Sequence, residues 1–172
     1  MNKGSEITAL VDEQKPHILA LTEFGAGGTV MDGELGIEGY SLYRGDHSSG
    51  GGGLGKGVAV YVAETLNHSA YPNFDEIGFD CSTWITVKLS NNKTLLVGVV
   101  YRSPNSVDEN NKRLLAMMRL AGTVRCDYLT VCREKQSGSP LQHRRHKHRF
   151  GYNGKGYRLL DIGRSVAFNP RA

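Results

Sequence analysis

The chain has 172 residues, 39% of them hydrophobic, which is one domain's worth of sequence with enough apolar content for a single core. No run of about 18 apolar residues occurs, which excludes a membrane-spanning helix, and the opening Met1–Glu6 has no apolar signal core, so the expected location is intracellular. The net charge of +4 hides a break: residues 133–172 carry ten Lys/Arg against Glu134 and Asp161, a net +8, whereas residues 1–132 are net −4, a jump that marks a tail of different origin or an arm facing nucleic acid.

In chain order, Ile7, Leu10 and Val11 follow helical spacing, and the helix is expected to stop before Pro16. Ile18–Leu21 is a continuous apolar run and reads as a buried strand, with Glu23 where it leaves the core. A loop rich in Gly and acids follows from Gly25 to Gly39, then a short strand at Tyr40–Tyr43. Gly50–Gly53 is too glycine-rich for regular structure and is read as a mobile spacer; it is no Walker loop, because Lys56 is followed by Gly57. Gly57–Val62 is a strong strand.

Trp84–Leu89 alternates with period two, Asn91-Asn92-Lys93 turns, and Thr94–Arg102 returns as its antiparallel partner. Trp84 opens the alternating strand and is assigned to the core. Ser103–Ser106 breaks the strand, with Asn105 making the turn. Ser106 and Glu109 have capping-box spacing and predict a helix that turns Leu114, Leu115 and Met118 inward and closes at Gly122. Tyr128–Cys132 is one more strand. The cysteines are odd in number and form no C-x-x-C pair, so neither a disulfide framework nor a zinc site is indicated; Cys126 and Cys132 flank an apolar run and are read as small buried hydrophobes. Beyond Cys132 the pattern collapses, and only Tyr157–Ile162 and Ser165–Phe168 look able to pair or pack. The order of elements predicts an α/β layered sandwich, divided as a domain over 1–132 and a basic, divergent tail over 133–172.

Several phrases recur together in one family: NKGSEITALVDEQKPHILALTE (2–23), GELGIEGYSLYRGD (33–46), GGLGKGVAVYVAETL (52–66) and STWITVKLSNNKTLLVGVVYRSPNSVDENNKRLL (82–115). In this order they resemble the endonuclease/exonuclease/phosphatase domain of jockey-like non-LTR retrotransposons, over roughly residues 2–132. The resemblance implies a layered α/β/β/α sandwich and a hydrolase that cuts DNA by in-line attack of water with a divalent cation, usually Mg²⁺. Mg²⁺ takes hard oxygen ligands and keeps several waters, so one or two carboxylates place it, and it stabilises charge developing on the phosphate.

By the same resemblance Glu23 matches the metal-binding glutamate and Tyr101 the tyrosine facing the scissile phosphate. Read from residues alone, Glu23 is an ordinary solvated strand cap, and Tyr101 is equally an aromatic over the core. Arg102 either contacts phosphate or solvates the strand end. The chain also departs from the pattern. Where the family places Gly-Asp-Phe-Asn, the strand runs from Cys132 into Arg133-Glu134-Lys135-Gln136, and no Gly-Asp-Phe-Asn occurs anywhere. The family's first strand, which carries an Asn ahead of the first helix, has no counterpart, and its C-terminal strands are expected to be missing or degraded. Asp161, in Arg158–Ile162, is a faint match to a site aspartate. Arg144, Arg145, Lys147 and Arg149 form a basic run that either contacts a phosphate backbone or is solvated surface; its histidines offer a less specific metal site.

The expectation is therefore a retrotransposon-derived domain of impaired or absent catalysis, nuclear if functional, with DNA as partner, no membrane, and no polymerase segment in this stretch. The alternative is a non-catalytic nucleic-acid-binding remnant that uses the basic tail.

Overall fold

Strand β1 (Ile18–Thr22) is buried at every position, because apolar layers cover both of its faces. The computed structural model describes residues 3–23, 30–46, 57–79, 81–89, 92–124, 126–134, 147–152, 157–162 and 165–170. Helix α1 (Lys3–Gln14) precedes β1 and ends as predicted before Pro16. Lys15 closes it in the left-handed region at φ 42°, donating its N–H to Val11 O at 2.8 Å.

The strands form two five-stranded sheets. In the first, β2 (Tyr40–Asp46), β3 (Gly57–Ala63), β1, β10 (Ser165–Pro170) and β9 (Tyr157–Ile162) lie in that order. In the second the order is β4 (Asn67–Ala70), β5 (Ser82–Lys88), β6 (Thr94–Arg102), β7 (Asp127–Glu134) and β8 (Lys147–Tyr152). Neighbours are antiparallel except β6 and β7, which run parallel. A parallel pair needs a long crossover, and helix α3 (Asp108–Ala121) supplies it.

Period-two alternation distributes the side chains among three apolar layers. Val58, Val60 and Val62 of β3, Ile18 and Ala20 of β1, and Val97, Val99 and Tyr101 of β6 meet in one core that draws on both sheets. The odd residues Ala59 and Tyr61 face the other way, with Leu19, Leu21 and Val11 of α1. On β6 the even residues Leu96 and Val100 join Trp84, Leu114 and Met117 under α3. Fully buried Leu19, Ile85, Leu95 and Leu96 each stabilise the fold by about 1.5–3 kcal/mol.

The β5–β6 hairpin forms as predicted, antiparallel, with Leu89 N–H closing onto Lys93 O at 2.8 Å. Trp84 is buried as expected, edge-on to Phe74 at 4.7 Å between ring centroids, and its indole lies over Gly98. Any side chain at Gly98 would occupy the space the indole fills.

Other expectations are corrected. The Gly25–Gly39 loop contains a single helical turn, α2 (Asp32–Leu35), pinned where Tyr61 Oη donates to Leu35 O at 2.8 Å. Strand β4 and the 3₁₀ helix Pro72–Ile77 were not anticipated; β4 is short and polar, and so lacks an alternating signal. The capping box does not form. Val107 is the N-cap, without a side-chain bond, while Ser106 Oγ accepts from Asn110 Nδ2 at 3.0 Å.

The inward face of α3 is Leu114, Met117 and Ala121. Met118 is only partly buried, and Leu115 is 57% exposed because it lies one step round the helix. Gly122 closes the helix in ordinary right-handed geometry, φ −67°, so its lack of a side chain is not what ends it. Cys81 is buried, and Cys126 is half-buried against the α3 layer.

Pairing does not stop at Cys132. Strand β7 continues to Glu134, β8 pairs with it, and β9 and β10 lie in the first sheet. The Gly50–Gly53 spacer, Arg144 and Arg145 lie outside the described residues. Among those described, no helix is long and apolar enough to cross a membrane.

Candidate functional site

At the end of β1 the backbone departs from the strand. Thr22 pairs with Val58 and shares the inter-sheet face with it. Regular alternation would send Glu23 to the opposite face, with Leu21 and α1. Instead Glu23 is left-handed, at φ 57°, a conformation that costs an L-residue about 1–2 kcal/mol. The twist turns its carboxylate inward, where Tyr101 Oη donates to Glu23 Oε1 at 3.3 Å in a buried contact. Glu23 is only 9% exposed, and a carboxylate so enclosed requires hydrogen-bond partners.

Tyr101 comes from β6 of the second sheet and is buried. Its N–H donates to Cys81 O at 3.0 Å. Cys81 is itself left-handed, at φ 61°. Two of the four non-glycine residues with positive φ among the described residues therefore flank one tyrosine. Such strained positions persist only where the surrounding packing over-determines them, and they concentrate at functional sites. Beside them Thr22, 4% exposed, has a buried Oγ1 with no hydrogen-bond partner among the described residues.

The sequence-derived candidates separate. Glu23 and Tyr101 come together, from residues far apart in the chain and on different sheets. Arg102, one residue on, lies on the α3 side of β6, where its Nε donates to Asn111 Oδ1 at 2.8 Å. It is thus held by the helix on the face opposite Tyr101. Asp161 lies on β9, paired with Val166, which is in turn opposite Ala20 of β1; its side chain is outside the described residues. Lys147 and Arg149 stand on β8, opposite Glu134 and Cys132, with their side chains likewise outside. The spacing Asp-x-Asn occurs at Asp108–Asn110, but in the first turn of α3 and not at a strand end.

Among the described residues no three His, Cys, Asp or Glu side chains gather as a metal cluster. The donors at the site, among the described residues, are one carboxylate and two hydroxyls. These are hard oxygens, the class Mg²⁺ prefers, and a single carboxylate is within the range that places a hydrated Mg²⁺. Sequence reasoning missed Thr22 and Cys81. Thr22 directly follows the apolar run Ile18–Leu21 and reads as its polar boundary, and nothing in the residue types Glu or Cys signals a left-handed backbone.

No protein-family profile matches the chain, and no curated protein matches it in sequence. A solved structure, "Endonuclease domain of TRAS1, a telomere-specific non-LTR retrotransposon", superposes with a TM-score of 0.58 at 11% identity, covering 98% of this chain and 92% of that one. The chain shares the fold of that domain. The likeness extends over almost all of both chains. At 11% identity it carries the fold and not the chemistry of individual side chains.

Proposed function

We propose that this chain is a nuclease-type domain of the endonuclease/exonuclease/phosphatase class, of jockey-like non-LTR retrotransposon descent, with a layered α/β/β/α sandwich. Its ancestral chemistry is hydrolysis of a DNA phosphodiester with Mg²⁺. The supporting observation is the buried Glu23–Tyr101 contact at 3.3 Å, built on a left-handed Glu23. In this reading the Glu23 carboxylate would hold the cation. Tyr101 orients that carboxylate and offers its hydroxyl toward a phosphate oxygen. The cation's role is to offset charge as it develops on the phosphate.

Catalysis is impaired or lost. No Gly-Asp-Phe-Asn follows β7; the strand continues through Arg133 and Glu134. The loss of an acid–base partner removes about 10²–10⁴ in rate. DNA is the proposed partner, and the nucleus the proposed location. Asp161 is proposed as the weak equivalent of a site aspartate. The test is nicking of supercoiled plasmid with Mg²⁺ by the full chain and by Glu23→Ala. Trace or no nicking is expected, and any trace is lost in the variant. Strong nicking that the variant retains refutes the assignment of Glu23, and strong nicking that it abolishes refutes the impairment.

A second reading rests on the net +8 of residues 133–172. In it the chain binds nucleic acid without cutting it, through Arg144, Arg145, Lys147 and Arg149. Affinity for a DNA duplex that falls steeply with salt, and falls further when these four are changed to Ala, supports it.

A further inference from the structure

We infer that Thr22 is a positioning residue for Glu23, its hydroxyl accepting a hydrogen bond from a water in the hydration shell of a divalent cation; this rests on the nuclease-type reading above. A hydroxyl buried without a partner costs about 1–3 kcal/mol. Thr22 Oγ1 is in that position, within a residue only 4% exposed. An apolar residue of the same shape, Val, would fill the site at no such cost. The flanking strand positions are indeed apolar: Leu19, Ala20 and Leu21 on β1, and Val58 directly opposite.

The placement of the hydroxyl gives it a use. Thr22 faces the inter-sheet space because it pairs with Val58, a member of that core. Glu23, the next residue, is bent by its positive φ into the same space, where Tyr101 meets it. Two consecutive residues that alternation would separate therefore present their oxygens to one side. Mg²⁺ keeps most of its water when a protein holds it by one or two carboxylates. Outer groups that bond those waters or the ligating carboxylate fix the geometry, and their removal commonly weakens metal binding 10- to 100-fold. Thr22 Oγ1 is an uncommitted group of this kind beside Glu23.

The test compares the full chain with Thr22→Val and Thr22→Ser, titrated with Mn²⁺ alone by calorimetry, alongside urea unfolding without metal. Thr22→Val keeps the shape and removes the oxygen; Thr22→Ser keeps the oxygen. The inference expects Mn²⁺ affinity at least about 10-fold weaker in Thr22→Val, near parent in Thr22→Ser, with metal-free stability of Thr22→Val equal to or above the parent. Equal Mn²⁺ affinity in parent and Thr22→Val overturns the role of Thr22 and leaves the reading of Glu23 standing. Absence of Mn²⁺ binding by the parent chain overturns both.

Discussion

The left-handed backbone at Glu23 predicts an inverted order of stability between two small substitutions there. In ordinary strand or helix backbone, Gly is less stable than Ala by about 0.5–1 kcal/mol, because it loses more conformational freedom on folding. At φ 57° an Ala pays about 1–2 kcal/mol of steric strain that Gly does not. The difference leaves Glu23→Gly more stable than Glu23→Ala by about 1 kcal/mol. Both variants lose the carboxylate and its bond from Tyr101, so that loss cancels in the comparison. With a slope of about 2 kcal/mol per molar urea, the Gly variant's midpoint is expected about 0.5 M higher. Equilibrium urea unfolding followed by fluorescence of the single tryptophan measures it. An Ala variant at least as stable as the Gly variant would show that Glu23 is not left-handed. The inward turn of its side chain, and the contact with Tyr101, would fall with it.

Gly98→Ala drives a Cβ into the Trp84 indole; overpacking of this kind costs about 1–3 kcal/mol, and it is expected to appear as a lower urea midpoint with a shifted Trp84 emission. Gly45→Ala drives its Cβ into Ser82 O, a backbone atom that cannot rotate away, so a lower midpoint by a comparable amount is expected where β2 approaches β5. Burial is the main cause that pushes the Tyr61 hydroxyl up to about 12 from 10.0, with Arg44 opposing and Asp32 adding. The unfolded chain then releases this proton first. The stabilisation is whole below pH 10 and is lost as pH rises toward about 12, with a slope of up to about 1.4 kcal/mol per pH unit. Tyr61→Phe is expected to flatten that part of the stability–pH curve in thermal melts at alkaline pH.

What the sequence made legible was set by local periodicity. The β5–β6 hairpin, the buried β1 and the burial of Trp84 follow from alternation and apolar runs, because their neighbours are close in the chain. Helix α3 was legible as a helix but not in its details. Ser106 and Glu109 have capping-box spacing, yet the turn at Ser103–Ser106 commits Ser106 to Asn110 instead. Tyr157–Ile162 and Ser165–Phe168 were legible as segments able to pair, and they form β9 and most of β10; β8 was obscured by its charge, and the docking of these strands on β7 and β1, far away in sequence, has no local pattern to announce it. The site was legible in part. Resemblance pointed to Glu23 and Tyr101, but residue type alone left each with an ordinary structural role. Their meeting depends on a backbone dihedral that Glu does not advertise, and Thr22, at the polar boundary of the run, gives no local sign that its hydroxyl is buried.

The partner strands of β1 have a consequence for how the chain is made. Ile18–Leu21 hydrogen-bonds on one side to β3 and on the other to β10. During synthesis the first partner emerges soon after β1, whereas the second emerges only when translation has passed residue 165. Until then the strand that presents Glu23 has one raw flank, open to any extended segment nearby. Pairings between such distant segments form slowly. Chaperone dependence, and loss of nascent chains to proteolysis or clumping, should therefore be concentrated before this last docking step.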